Sequence, residues 1–171
     1  MNLNEGARRA QLSDRAAVVG LARQGIDELV PHRGGGIWHR REAHPEPLET
    51  SVGTLVEDDG EDHLVVVGTV DDVVVAYAIV AIDTLHDGDR LAVVSDLYVD
   101  PDARGVGLGE AMMDLLIAWS REAGAVGIDA LALPGDRATK NFFETSGLTA
   151  RAILVHRSFA TVLPDAETPT P

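Results

Sequence analysis

Leu91-Ala-Val-Val-Ser-Asp96-Leu-Tyr-Val99-Asp-Pro101-Asp-Ala103-Arg104-Gly105-Val106-Gly107-Leu108-Gly109-Glu110, running on to Gly124, decides how this chain folds. Residues 91–99 are mostly apolar and read as a buried strand. Pro101 has no amide hydrogen for a ladder, so the strand stops before it. Residues 110–123 read as a helix. Leu108, Met112, Leu115, Leu116, Trp119 and Ala123 recur at three- and four-residue steps, with Glu110, Asp114, Arg121 and Glu122 off that stripe. Gly124 supplies a stop just past its end.

Between strand and helix lie three glycines at alternate positions, with Arg104 in front. Glycines let a backbone approach a ligand closely. The first turn of a helix carries N–H groups without partners and the positive end of the helix dipole. Such a turn suits a phosphate or pyrophosphate, with Arg104 as a cation at its mouth. The alternative is a tight connection whose glycines serve packing only. A P-loop is excluded, because Glu110-Ala111 stands where Lys-Ser/Thr is required. A dinucleotide fingerprint needs its third glycine one position later, although Asp129 lies at the distance of the ribose-binding acid.

Outward from this centre, residues 64–70 and 73–82 are β-branched runs joined by Asp71-Asp72, a hairpin signal. A polar loop at 84–89 links them to the central strand. Three antiparallel strands thus precede the glycine turn, whereas a dinucleotide fold places its fingerprint after the first strand of a βαβ unit. Residues 57–62 form an acidic, solvated turn. Residues 125–133 read as a strand parallel to 91–99, because a helix joins the two. Asp136 is a candidate cap for a helix with Ala138, Phe142 and Phe143 on its apolar face, and Gly147 ends it. A last strand is expected at 149–159.

Towards the N-terminus, residues 7–11 read as a short strand. Ser13 or Asp14 caps a helix carrying Ala17, Val18, Leu21, Ala22 and Leu29, which Pro31 ends. Residues 31–60 are irregular. The run His32-Arg-Gly-Gly-Gly-Ile37-Trp38-His39-Arg-Arg41 suggests a mobile loop, since consecutive glycines disfavour helix and strand. Ile37 and Trp38 either anchor that loop to the core or face a ligand. His39 and His44, five apart with a proline nearby, are weak evidence for a metal, and none is expected.

The 171 residues suit one domain, expected over 1–163, with a disordered proline-rich tail at 164–171. Without cysteine there is no disulfide framework and no thiol nucleophile. The N-terminus lacks a signal-peptide core and no apolar run spans a bilayer, so a cytoplasmic setting without membrane partners is expected. A net charge of −14 argues against nucleic acid and favours cationic amines, or simply serves solubility.

Two motifs resemble a known family. Asp96-Leu-Tyr-Val99, Pro101 and Arg104-Gly-Val-Gly-Leu-Gly109 resemble motif A of the GNAT superfamily of N-acetyltransferases, Gln/Arg-x-x-Gly-x-Gly/Ala. Asn141-Phe-Phe143-Glu144-Thr-Ser-Gly147-Leu148 resembles that family's later helix, which usually reads Tyr-Glu-x-x-Gly-Phe. The resemblance implies an α+β fold of α/β/α type: a central mixed, mostly antiparallel sheet, a splayed parallel strand pair, and helices on both faces. It implies acetyl-CoA as co-substrate and a primary amine as acceptor, on a small molecule or a protein lysine or N-terminus. Attack is direct, in a ternary complex, in a monomer or homodimer.

By the same resemblance, the backbone of Leu97, Tyr98 and Val99 binds the pantetheine arm. The amides of Arg104, Gly105, Val106, Gly107, Leu108, Gly109 and Glu110 take the pyrophosphate. Asn141 lies near the thiol end with Phe143 packed beside it, and His32, Trp38 and His39 belong to a segment over the acceptor. Asp96, an acid in an apolar strand, is the candidate base, directly or through water; alternatively it orients the amine or bonds a nearby loop. Phe143 replaces the family's usual tyrosine acid. Tyr98 or Tyr77 then substitutes, or the thiolate leaves without a dedicated acid, or the protein is an acyl-CoA sensor. A nicotinamide-dependent oxidoreductase is the remaining alternative.

Overall fold

The computed structural model describes residues 5–159. Strands β2 (His63–Val70) and β3 (Val73–Thr84) form a hairpin. Its turn is Asp71-Asp72, both at positive φ, 48° and 66°. This is the primed turn geometry, whose twist matches the strands it joins. Strand β1 (Glu5–Arg9) lies antiparallel to β2, and β4 (Arg90–Val99) antiparallel to β3. Helix α5 (Leu108–Glu122) then carries the chain to β5 (Ala125–Ala130), which runs parallel to β4. The five strands stand in chain order, so the sheet is mixed, mostly antiparallel, with one parallel pair.

Both faces of the sheet are covered. Val66, Ala78, Val80 and Val94 pack under Leu108, Met112, Met113 and Leu116 of α5 and Phe143 of α6 (Arg137–Thr145). Val65, Val67, Tyr77 and Ile79 pack under Val18, Leu21 and Ala22 of α1 (Arg15–Leu29). The expected stripe on α5 is rotated slightly: Met113 and Ser120 are buried, while Leu115 and Trp119 pack at its margin. Ser120 donates to the Leu116 carbonyl, which removes the cost of burying its hydroxyl.

One irregularity in β4 positions the site. Val80 pairs with Val94, but Ile79 pairs with Asp96, leaving Ser95 as an extra residue. In an uninterrupted strand Val94, Asp96 and Tyr98 would share a face. The bulge reverses the alternation. Val94, Leu97 and Val99 pack towards α5, whereas Tyr98 packs with Tyr77 on the α1 face and Asp96 bonds the Tyr77 hydroxyl. The parallel pairing of β4 with β5 stops at Val94–Ala130, immediately before the bulge. Beyond it the two strands part.

Four expectations need correction. The strand expected at 149–159 is not formed. A strand needs a ladder partner, and among the described residues this segment has none; Arg151 pairs with Asp129 of β5, with Ile153, Val155 and Phe159 exposed. Strand β5 ends at Ala130, not 133, because β4 has already turned away.

The glycine run at 34–36 is not a mobile loop but starts a helix, α2 (Gly35–Arg41). Gly34 takes the left-handed conformation, φ 85°, and a Cβ on Gly35 would lie 2.2 Å from the Leu29 carbonyl oxygen. Glycine is needed here for close packing on the end of α1, not for motion. Two further short helices, α3 (Leu48–Ser51) and α4 (Gly53–Glu57), bury Leu48, Val52 and Val56 against α1. Finally, Asp14 does not cap α1; its carboxylate accepts from the Arg8 guanidinium and the Gln11 amide. The tail expected at 164–171 lies outside the described residues.

Candidate active site

A cleft of about 420 Å³ opens where β4 and β5 part. Its floor is β4 from Val94 to Val99. The glycine turn and the start of α5 form one wall, and residues 131–133 with Thr139, Phe142 and Phe143 form another. Gly25, Ile26 and Glu28 of α1, with His32 and Trp38, close the remaining side.

The turn is built as a donor cradle. Gly105 and Gly107 take φ of 84° and 89°, a region side chains avoid. Asp100 caps the preceding short turn by accepting from the Asp102 amide. The first backbone bond of α5 runs from Ala111 N–H to the Gly107 carbonyl, 3.0 Å. None of the amides of residues 105–110 has an acceptor among the described residues. A Cβ on Gly109 would come within 3.1 Å of the Phe142 ring, so glycine there lets α6 close on the start of α5. Gly105, Gly107, Leu108, Gly109 and Glu110 line the cleft; Val106 does not and is exposed.

The β4 edge that faces the cleft also carries free backbone groups. Asp100 N–H donates to Val75 on β3, so by alternation Leu97 and Val99 turn their N–H and C=O groups to the opposite edge. The Arg104 Nε donates to the Val99 carbonyl, 3.0 Å. Its Nη2 grips both carboxylate oxygens of Glu28, 2.9 and 2.7 Å, and the guanidinium lies over the Tyr98 ring. The cation expected at the mouth of the turn is therefore paired with Glu28.

At the floor, three side chains converge on Asp96. The Tyr77 hydroxyl donates to Oδ1 at 2.8 Å. His44 Nε2 and Ser95 Oγ meet Oδ2 at 2.8 and 2.6 Å. The Asp96 hydrogen bond lifts the His44 imidazole above its ordinary value, against the opposing pull of burial. Burial, then the Asp96 charge, push the Tyr77 phenol well up. Its proton is committed to Asp96, which weighs against Tyr77 as an acid for a leaving thiolate. Burial and the neighbouring Glu28 likewise hold the Tyr98 proton more tightly.

The cleft thus brings together Asp96, Leu97, Tyr98, Val99, Arg104, the glycines, Phe143, His32 and Trp38. It does not include Asn141 or His39, both exposed. Ile37 is 43% exposed, so it does not anchor α2 to a core, whereas Trp38 faces the cleft. His44, Ser95 and Glu28 are the participants that sequence reasoning missed. A histidine between an alanine and a proline carries no local signal of a carboxylate partner on another element. Asp129 is bound by Arg151 and does not line the cleft, which removes the support for a ribose-binding acid. Among the described residues, no helix is long and apolar enough to cross a membrane, and no group of three metal-ligating side chains occurs.

Residues 36–148 match the Acetyltransferase (GNAT) family. A search of curated proteins finds no match. Among solved structures, the tetramutant of the BH1408 protein from Bacillus halodurans superposes with a TM-score of 0.71 at 22% identity, covering 89% of this chain and 98% of that one. AAC(6')-Iy in complex with the bisubstrate analogue CoA-S-monomethyl-acetylneamine gives 0.68 at 15% identity, covering 92% and 99%. Glucosamine-6-phosphate N-acetyltransferase from Arabidopsis thaliana gives 0.64 at 19% identity, covering 92% and 99%. At these identities the structural likeness speaks for the fold alone.

Proposed function

Because the chain belongs to the GNAT acetyltransferase family, we propose that this acyltransferase moves an acetyl group from acetyl-CoA to a primary amine by direct attack in a ternary complex. The observation that carries the reading is a conjunction. A helix-start cradle of unpartnered amides and a strand edge with free backbone groups open into one cleft, with a hydrogen-bonded carboxylate at its floor.

The residues present fit acetyl-CoA. The amides of 105–110 match the acceptor oxygens of a pyrophosphate, and the positive end of α5 favours its charge. The Leu97 N–H and C=O and the Val99 N–H match the amides of a pantetheine arm, while the Val99 carbonyl is taken by Arg104. Bound there, acetyl-CoA supplies an activated acyl carbon and a thiolate that leaves readily. The Glu110 carboxylate is the one group of the turn that opposes the anion; being exposed, it can rotate away.

The chain's contribution to chemistry centres on Asp96. An alkylammonium entering the cleft is attracted to the carboxylate and gives it one proton, which leaves the amine lone pair free. The C–N bond then forms as the C–S bond breaks, and the nitrogen's surplus proton passes to sulfur, directly or through water. Asp96 returns its proton to solvent. No dedicated acid is assigned, since Phe143 carries no proton and a thiolate is a fair leaving group. AAC(6')-Iy and the Arabidopsis enzyme, by their names and complexes, handle amino sugars. Small cationic amines are accordingly the first acceptors to try.

Release of CoA thiol from acetyl-CoA, followed over a panel of amino sugars, polyamines, amino acids and lysine peptides, tests the reading. Gly107→Asp places bulk and negative charge in the cradle. It is expected to weaken CoA binding at least ~100-fold, roughly the effect of losing a charge-assisted site. Unchanged CoA affinity in a folded Gly107→Asp protein makes the turn structural and removes the proposal.

A further inference from the structure

Asp96 is the carboxylate at the floor of the cleft. Its side chain is 13% exposed, on a strand whose neighbours are apolar. A carboxylate offers about four lone-pair sites. Three are taken, by Tyr77 on Oδ1 and by His44 and Ser95 on Oδ2. The remaining capacity is on Oδ1.

Of the three partners, only His44 can bring a compensating charge. It reaches Asp96 from the connection between α2 and α3, far away in sequence, and does not itself line the cleft. Its side chain is mostly buried, and Nδ1 has no partner among the described residues, so the Nε2–Oδ2 bond is what holds the ring. Tyr77 and Ser95 are neutral donors and fix direction only.

We propose that His44 is a positioning residue for acetyl transfer: its Nε2–H pins Oδ2 and leaves Oδ1 as the atom that receives the amine proton. The inference rests on the acetyltransferase reading but concerns a residue outside the cleft. The ordinary alternative is an anchor that ties the α2–α3 connection to the sheet. The other titratable groups around the carboxylate are Tyr77 from β3 and Tyr98 from β4. At the cleft margin stand Glu28 of α1, His32, Arg104, Glu110 and Asp136, with Glu28 and Arg104 bound to each other.

Two replacements separate the roles. His44→Phe keeps ring bulk and removes the donor. His44→Gln keeps an N–H near the Nε2 position without a full charge. For His44→Phe, kcat is expected to fall by roughly 30-fold or more, within the range of a disabled acid–base group. The acetyl-CoA KM should change by less than about threefold, because His44 does not line the cleft. His44→Gln should recover most of kcat. A His44→Phe enzyme with parental kcat overturns the proposal. So does a loss in which, in both variants, kcat and melting temperature fall while the acetyl-CoA KM rises, which is the signature of an anchor. A direct readout needs no turnover: the 15N titration of His44 in the full chain should shift to lower pH in Asp96→Asn. An unshifted titration overturns the pairing. If the parent releases no CoA thiol from any amine, the acetyltransferase reading fails, while this titration still decides whether His44 and Asp96 act as a pair.

Discussion

Replacing Gly35 by alanine measures how tightly the segment over the cleft is held. A Cβ at this position falls 2.2 Å from the Leu29 carbonyl oxygen and 2.5 Å from that of Val30. Carbon and oxygen in contact normally sit about 3.3 Å or more apart, so roughly 1 Å must be found. The oxygens cannot yield readily. They belong to the end of α1, whose Val30 amide donates to Ile26 and whose Val18, Leu21 and Ala22 are buried in the core. Helix α2 must therefore lift away, and Trp38 with it. Overpacking of this kind costs about 1–3 kcal/mol or somewhat more when the obstacle is backbone. In a domain of this size each kcal/mol is worth about 2–4 °C, so the melting temperature should drop by roughly 2–12 °C. Gly36 is the control. It is helical, and a Cβ there meets nothing within 4 Å. Alanine at Gly36 should stabilise by about 0.4–1 kcal/mol through the unfolded chain. Calorimetry of the parent and both variants gives the answer, and the acceptor KM of Gly35→Ala should rise as Trp38 shifts. If the two alanine variants melt alike, the glycines are loose and the packing argument is wrong.

Asp96→Asn retains the shape of the side chain but takes no proton; kcat is expected to fall about 100-fold or more, with the acetyl-CoA KM little changed, by steady-state kinetics over pH. A pH-independent, parental rate removes Asp96 from the chemistry. Asp14 supplies a stability test. The Arg8 hydrogen bond, opposed by burial, holds its carboxyl below the usual range. A depressed folded-state value means its contribution is present above about pH 3.9 and is lost as pH falls through the folded value. The melting-temperature gap between the parent and Asp14→Asn should be wide at pH 6 and close as the pH falls well below 3.9. A gap that stays constant refutes the ion pair's role.

Residues 91–124 carried most of the architecture in the open. The apolar run, Pro101, the glycine turn and the three- and four-residue stripe each impose a local conformation, so β4, the turn and α5 were legible without tertiary information. The same holds for Asp71-Asp72, whose φ values follow from the demands of a two-residue hairpin, and for Asp136, whose cap on the Thr139 amide is a local bond. The family match, over residues 36–148, includes this whole stretch.

What local rules do not reach is any feature defined by a distant partner. The sequence at 149–159 has strand character, but a ladder needs an edge in register. Glycines 34–36 read as freedom until the end of α1 is placed against Gly35. Arg104 reads as a free cation until Glu28, 76 residues earlier, is found beneath it. The bulge at Ser95 decides which face Asp96 occupies, and it exists only in the register of β4 against β3. His44 becomes meaningful only 52 residues away from itself, at Oδ2 of Asp96. Short-range periodicity specified the elements and the cradle; the environment of the carboxylate was set by packing, because hydrogen-bond partners and desolvation depend on where elements meet.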